Sequence, residues 1–111
     1  MQQNGSYAIR RGDRFKAKLS KKSQGAVAAV ELAEKALAAH PHTPQPEEDY
    51  PVEEIPTSAR VTEMHIAVTV YSMKIKNTGL TVTYTVREFE KVVLMEDLEQ
   101  SWRSQLGIHP E

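Results

Sequence analysis

The sequence predicts an α+β domain in which two β-hairpin–helix units, in the order ββα-linker-ββα, pack an antiparallel sheet on two helices. Three observations favour this class: residues 7–19 alternate with period two, residues 23–39 form an Ala-rich helical segment, and residues 61–85 hold two Val- and Thr-rich stretches around a turn. The chain has 111 residues, a size at which one hydrophobic core is normal, so we expect a single domain over 1–111.

Bulk composition narrows the class of protein. Hydrophobic residues make up 40% of the chain and charged residues 26%, which is ordinary for a globular domain. The chain has no cysteine, which excludes disulfides, thiolate nucleophiles and cysteine-ligated metals. No apolar run reaches the roughly 18 residues of a membrane span, and the N-terminal residues have no signal-peptide core. We expect a cytoplasmic protein with no membrane partner.

The first element predicted is a β-hairpin over residues 7–19. Apolar residues from Tyr7 to Leu19 share one parity, and basic residues share the other. The tripeptide Arg11-Gly12-Asp13 supplies turn chemistry between the arms, because glycine adopts positive φ and aspartate bonds its own backbone. The outer face of this hairpin would carry Arg10, Arg14, Lys16 and Lys18.

A helix and a long connection follow. Residues 23–39 are dominated by alanine, the best helix former, and Pro41 ends the segment. Residues 41–59 contain five of the six prolines and five acidic residues. Since proline removes backbone donors and disfavours a helical residue before it, we expect a proline-rich acidic linker or surface loop at 41–59.

The second hairpin has a testable register. Residues 61–75 are rich in β-branched and aromatic side chains, and residues 76–79 form a loop with Gly79 as the left-handed residue. Placing Ile75 opposite Leu80 pairs apolar with apolar residues on one face and polar with polar residues on the other. A one-residue slip destroys both matches, so this register is predicted.

Beyond Thr85 the sequence favours a helix. Thr85-Val86-Arg87-Glu88 fits a capping box, and apolar residues recur at helical spacing over 86–106. The apolar stripe changes phase around Glu96-Asp97. We therefore predict one bent helix, with the alternative that residues 86–95 form a strand and a short helix begins at Asp97.

Strand 61–75 is apolar on both parities. A bulge near Tyr71 or Ser72 would merge the two sets into one face. Without a bulge, the second face needs cover from the linker, the second helix or another chain, so a homo-oligomer and a monomer are equally expected. The candidate protein-interface residues are Met64, Ile66, Val68, Val70 and Trp102.

No residue pattern indicates catalysis, a metal or a cofactor. His40 and His42 are close together, but a metal needs three or four ligands and the other two histidines are far away in sequence. The acids of 47–54 lie among prolines, where nothing tunes their pKa. The chain has no phosphate-binding glycine loop and no G-x-S-x-G. We therefore expect a protein that is not an enzyme and binds no metal or cofactor.

Charge is distributed unevenly although the net charge is −1. Residues 1–22 hold seven of the 14 basic residues and one acid, Asp13. Cations spaced along a strand can meet successive phosphates, but an acidic protein partner, a solvated edge or the acidic linker would also explain them. The candidate residues for binding nucleic acid or another anionic partner are Arg10, Arg11, Arg14, Lys16, Lys18, Lys21 and Lys22.

These observations favour a small non-catalytic binding protein that regulates or inhibits a macromolecular partner through protein–protein contacts. The absence of a catalytic set, the two-faced strand and the acidic loop support it. The alternative is a nucleic-acid-binding protein that uses the basic face of the N-terminal hairpin.

Overall fold

The computed structural model describes residues 6–55 and 69–101. Two helices and five strands lie in these ranges. In chain order they are β1 (Ala8–Arg11), α1 (Asp13–Leu19), α2 (Gln24–Ala39), β2 (Val52–Ile55), β3 (Thr69–Ile75), β4 (Leu80–Arg87) and β5 (Val92–Gln100). No helix in the described ranges is long and apolar enough to cross a membrane.

The strands form one mixed sheet in the order β1-β5-β4-β3-β2. The pairs β2–β3, β3–β4 and β4–β5 are antiparallel, whereas β1 lies parallel to β5. The prediction of a mixed α+β fold is therefore confirmed, but the ββα-linker-ββα order and the purely antiparallel sheet are wrong.

The core lies between one face of the sheet and the two helices. Alternate residues of β4 are almost completely buried, and their neighbours on β3 and β5 bury the same face. The residues that fill this layer include Phe15, Leu19, Val30, Leu37, Met73, Leu80, Val82, Tyr84, Met95 and Leu98.

Two predictions that rest on local patterns are confirmed. The Ala-rich segment forms α2, and the Ser23 side chain caps it by accepting a hydrogen bond from the backbone N–H of Ala26. Around the 76–79 loop, Ile75 pairs with Leu80 and every later pair keeps the predicted register. Gly79 has φ 76°, the left-handed conformation predicted for it.

The predicted N-terminal hairpin is wrong, because residues 13–19 are helical. Phe15 and Leu19 are both buried, and their spacing of four fits a helix face as well as a strand parity. Gly12 is not a hairpin turn residue. Its N–H donates to Met95 O at 2.8 Å, and a Cβ there would lie 3.2 Å from that oxygen.

The predicted C-terminal helix is also wrong over the described residues. β4 continues to Arg87, residues 88–91 form a turn, and β5 returns to Gln100, so no helix begins at Asp97. Thr83 pairs with Asp97 whereas Tyr84 pairs with Met95, which makes Glu96 the extra residue of a β-bulge. The bulge explains the change of phase that suggested a bent helix.

The predicted linker contains a strand. Residues 52–55 form β2, which pairs with β3, while Pro44 is fully buried and Tyr50 and Val52 pack against the core. Residues 56–59 lie outside the described residues. That residues 1–111 form a single domain stays a prediction.

We expect Phe15→Ala to lower the free energy of unfolding by about 3–5 kcal/mol, because it empties a fully buried site under α1. Urea unfolding followed by circular dichroism measures the change. The exposed neighbour gives a matched control, and Lys16→Ala should stay within about 0.5 kcal/mol of wild type. Equal effects of the two substitutions would contradict the burial of Phe15 and the exposure of Lys16.

Candidate functional site

The basic residues predicted to bind an anionic partner are divided among a strand, a helix and the connection after that helix. Arg10 lies on β1, and Arg14, Lys16 and Lys18 lie on α1. Lys21 and Lys22 lie in the connection between the helices. These cations therefore do not share one face of a hairpin, and each has its own surroundings.

Two of these cations pair with an acid of the sheet. Lys18 Nζ lies 2.9 Å from Asp97 Oδ1, and Arg14 Nη1 lies 3.7 Å from Asp97 Oδ2. Burial raises the pKa of Asp97, but hydrogen bonds from Lys18 and from the Leu98 N–H outweigh it and hold that pKa below its usual value. Within the described residues, the acid that pairs with Arg14 and Lys18 is therefore Asp97 of β5 and not an acid of the proline-rich segment.

Arg11 has a structural partner. Its Nε and Nη2 donate to the two carboxylate oxygens of Glu34 at 2.8 and 2.7 Å, a bidentate pair between β1 and α2. Only 10% of the Glu34 side chain is exposed. The hydrogen bond that Arg11 donates to Glu34 is also the main reason that the pKa of Arg11 is raised. Arg11 therefore stabilises the fold and is not presented to a ligand.

The remaining cations stay open to solvent. Arg10, Lys16 and Lys21 are exposed, and no side-chain partner lies against them among the described residues. Lys22 Nζ donates to Gln100 Oε1 at 2.9 Å. A surface depression of about 340 Å³ is lined by Lys18, Lys21, Lys22, Leu98, Glu99 and Gln100.

One predicted protein-interface residue, Val70, lies in the described ranges. It pairs with Thr85 on the face of the sheet away from the helices. Together with Thr83, Thr85, Glu96, Asp97 and residues 12–14 it lines a polar depression of about 510 Å³. The other four, Met64, Ile66, Val68 and Trp102, lie outside the described residues.

A cluster of titratable side chains lies at one end of the sheet. His42 Nε2 lies 2.5 Å from Glu88 Oε2, and His42 Nδ1 lies 2.5 Å from the Tyr71 hydroxyl. The Tyr7 hydroxyl donates to Glu88 Oε1 at 2.6 Å. Because a carboxylate only accepts, Nε2 carries a proton in this contact; Nδ1 accepts from the Tyr71 hydroxyl when the ring is neutral and donates to it when the ring is protonated. We call Tyr7, His42, Tyr71 and Glu88 the His42 cluster.

The cluster remains reachable from solvent. His42 is 44% exposed and Glu88 is 59% exposed. The hydrogen bond from Tyr7, followed by contacts with His42 and Lys91, holds the pKa of Glu88 below its usual value although desolvation opposes them. Burial, then the charges of Glu54 and Glu88, raises the pKa of Tyr71. The arrangement brings together a carboxylate, an imidazole and a protonated phenol, which are groups suited to proton transfer.

Sequence reasoning missed most of this cluster. Sequence patterns single out His42 only as a neighbour of His40, and His40 is not part of the cluster. The members come from four separate segments: His42 and Glu88 are 46 positions apart in sequence, and Tyr7 and Glu88 are 81 positions apart. Within 6–55 and 69–101, no group of three or more potential metal ligands is assembled.

Comparison with known proteins identifies the fold. No protein-family model matches the sequence, and no curated protein matches it. The chain is similar to one in the archaeal RelE–RelB complex of Pyrococcus horikoshii OT3, with TM-score 0.68 and 16% identity over 88% of this chain and 98% of that chain. It is also similar to one in the intact E. coli RelBE toxin–antitoxin complex, with TM-score 0.57 and 12% identity over 86% and 98%.

Over the described residues the chain has a mixed α+β fold of five strands and two helices. This arrangement matches the fold seen in the RelE–RelB complex. The likeness contradicts the expectation that the chain is not an enzyme, because RelE toxins are ribosome-dependent endoribonucleases. Motif searches missed it because they look for contiguous signatures, which this chain does not carry.

Adjacent arginines provide a test of the assigned contacts. We expect Arg11→Ala to lower the free energy of unfolding by roughly 1–3 kcal/mol, because it leaves the mostly buried Glu34 carboxylate without its partner. Arg10→Ala, which removes an exposed side chain of the same type, should change it by less than about 0.5 kcal/mol. Thermal or urea unfolding of both variants measures the difference, and a larger loss for Arg10→Ala would reverse the assignment.

Proposed function

We propose that this protein is the toxin of a two-protein toxin–antitoxin pair: an endoribonuclease that cleaves RNA on the ribosome and that a small protein partner holds inactive. The observation that carries this proposal is the RelE-like fold, matched at TM-score 0.68 over 88% of the chain. The His42 cluster supports it, because RNA cleavage by transesterification needs groups that donate and accept protons.

The protein partner is proposed from the same comparisons. The two solved structures named above are a RelE–RelB complex and a RelBE toxin–antitoxin complex. This proposal retains the regulatory protein–protein contact expected from the sequence and places catalysis on the same chain. A ribosomal substrate also agrees with the predicted cytoplasmic location. A homo-oligomer stays a prediction, which the mass of the isolated chain by light scattering will test.

The exposed cations are proposed to contact RNA. Within the described residues, Arg10, Lys16 and Lys21 make no side-chain contact that would compete with phosphate, unlike Arg11, which is held by Glu34. Each lysine or arginine that neutralises a phosphate releases counterions and makes binding depend on salt. The sequence-based suggestion of an anionic partner is therefore kept for these three residues and withdrawn for Arg11.

The purified chain should cleave messenger RNA bound to programmed ribosomes, with cuts mapped by primer extension. The same messenger without ribosomes is the matched control, and cleavage there should be much slower because the proposed activity depends on the ribosome. Absence of any cut at stoichiometric protein, with ribosomes shown to be active in translation, would overturn the proposed function.

Phosphate contacts predict a change in salt dependence. The double variant Lys16→Ala/Lys21→Ala should bind single-stranded RNA more weakly at low salt, and the slope of log affinity against log salt should fall in magnitude by about 1.4. Fluorescence polarisation across a salt series measures both. The control Lys35→Ala/Lys76→Ala removes the same charge from α2 and the 76–79 loop and should leave the slope unchanged. Equal slopes for both double variants would contradict the assigned surface.

A further inference from the structure

We propose that Tyr71, His42 and Glu88 form an acid–base site that donates a proton to the leaving 5′ oxygen of an RNA phosphodiester. Tyr71 is the general acid that touches the substrate, His42 returns a proton to it, and Glu88 positions and stabilises His42. The inference rests on the proposed RNA cleavage and adds to it the location of the chemistry and the role of each residue.

The geometry forms a continuous proton path. Glu88 Oε2, His42 Nε2, His42 Nδ1 and the Tyr71 hydroxyl are joined by two contacts of 2.5 Å each. Many catalytic sites have the same arrangement, in which a reacting group is hydrogen-bonded to a base and a carboxylate orients that base. The rings of His42 and Tyr71 meet edge to face, with centroids 5.5 Å apart. Tyr71 is only partly buried, so the phenol at the end of the path can meet a ligand.

The core holds these groups in place. The buried hydroxyl of Tyr84 donates to Pro41 O at 2.8 Å, which fixes the residue before His42. The ring of Tyr84 packs against that of Tyr71 with centroids 5.3 Å apart. Tyr7 binds the second oxygen of Glu88. A relay held by buried contacts loses little entropy when a substrate binds, which is the requirement for efficient proton transfer.

Protonation states agree with a phenol that acts as an acid. When His42 is an imidazolium, both ring nitrogens donate, Nε2 to Glu88 and Nδ1 to the Tyr71 oxygen, so the Tyr71 O–H points elsewhere. Burial and nearby carboxylates keep Tyr71 protonated at neutral pH. The groups that face this pair are Tyr7 and Glu88, with Lys91 in the same turn as Glu88 and Glu54 on β2.

The proposed step balances protons and electrons. The 2′ oxygen of RNA forms a bond to phosphorus and loses its proton to solvent water. The bond from phosphorus to the 5′ oxygen breaks, and its electron pair stays on that oxygen. Tyr71 gives its proton to the 5′ oxygen while His42 Nδ1 gives its proton to the Tyr71 oxygen. The products are a 2′,3′-cyclic phosphate and a 5′ hydroxyl, and solvent reprotonates His42.

A neighbouring side chain favours a nucleic-acid substrate. Phe89 follows Glu88 directly in the turn and is 93% exposed. Unpaired RNA bases stack on exposed aromatic rings, and such a contact needs no base sequence. The Lys91 ammonium lies 5.3 Å from the centre of the Tyr7 ring, which brings a cation to the same end of the sheet. An aromatic ring and a cation beside a proton relay suit a single-stranded phosphodiester better than a small neutral substrate.

A leaving group that needs no proton tests the acid role. We expect Tyr71→Phe and His42→Gln to slow single-turnover cleavage of ribosome-bound RNA by about 10²–10⁴-fold. A substrate with sulfur in place of the 5′ oxygen at the mapped cleavage position leaves without protonation, so both variants should cleave it within about fivefold of wild type. Tyr50→Phe, a half-buried tyrosine outside the cluster, is the control and should match wild type on both substrates.

Each result separates the two proposals. Wild type that cuts neither substrate overturns the proposed function and the acid role with it. Wild type that cuts, with Tyr71→Phe and His42→Gln equally fast on the oxygen substrate, overturns the acid role and leaves the function standing. Equal slowing on both substrates, with folding shown intact by circular dichroism, also overturns it, because a positioning role would not be rescued by sulfur.

Discussion

The parallel pairing of β1 with β5 is the constraint on which the other features depend. It joins the first described strand to the last, with Ala8 N–H donating to Lys91 O at 2.9 Å and Gly12 N–H donating to Met95 O at 2.8 Å. Parallel neighbours cannot be joined by a tight turn, so both helices and three strands lie between them in the chain. The pairing also brings Tyr7 to Glu88 and α1 to Asp97, and thereby produces both the His42 cluster and the cation–carboxylate contacts.

Local patterns predicted the parts of the fold that local physics decides. The Ala-rich helix and the hairpin around Gly79 follow from propensity, capping and cross-strand matching, and each appears as expected. The predictions for residues 7–19 and for the residues after Thr85 were wrong for the same reason. A spacing of four, as between Phe15 and Leu19, satisfies helix and strand alike, and the extra residue Glu96 imitates a change of helical phase. Which alternative holds is decided by β1 pairing with β5, a contact between distant segments that periodicity does not report.

The candidate site was less predictable than the fold, because its members are distant in sequence. Arg10 and Arg11 are neighbours with identical side chains, yet strand alternation sends Arg11 to Glu34 of α2 and leaves Arg10 in solvent. The amino-acid composition of the chain does not distinguish these two arginines. His42, Tyr71 and Glu88 carry no spacing that distinguishes them from surface residues, and only the topology gives them a common location. The residue before His42 is Pro41, whose carbonyl accepts a hydrogen bond from the Tyr84 hydroxyl.

That carbonyl connects stability to the proposed chemistry. The Tyr84 hydroxyl is buried, and burial raises its pKa, so it must donate a hydrogen bond to avoid a large desolvation cost. Pro41 O meets this need and in doing so fixes the loop that carries His42. The same ring packs on Tyr71, so one core residue orients both the imidazole and the phenol. The acid–base geometry is therefore a consequence of satisfying a buried polar group, and any substitution that releases the Tyr84 hydroxyl must disturb the core and the site together.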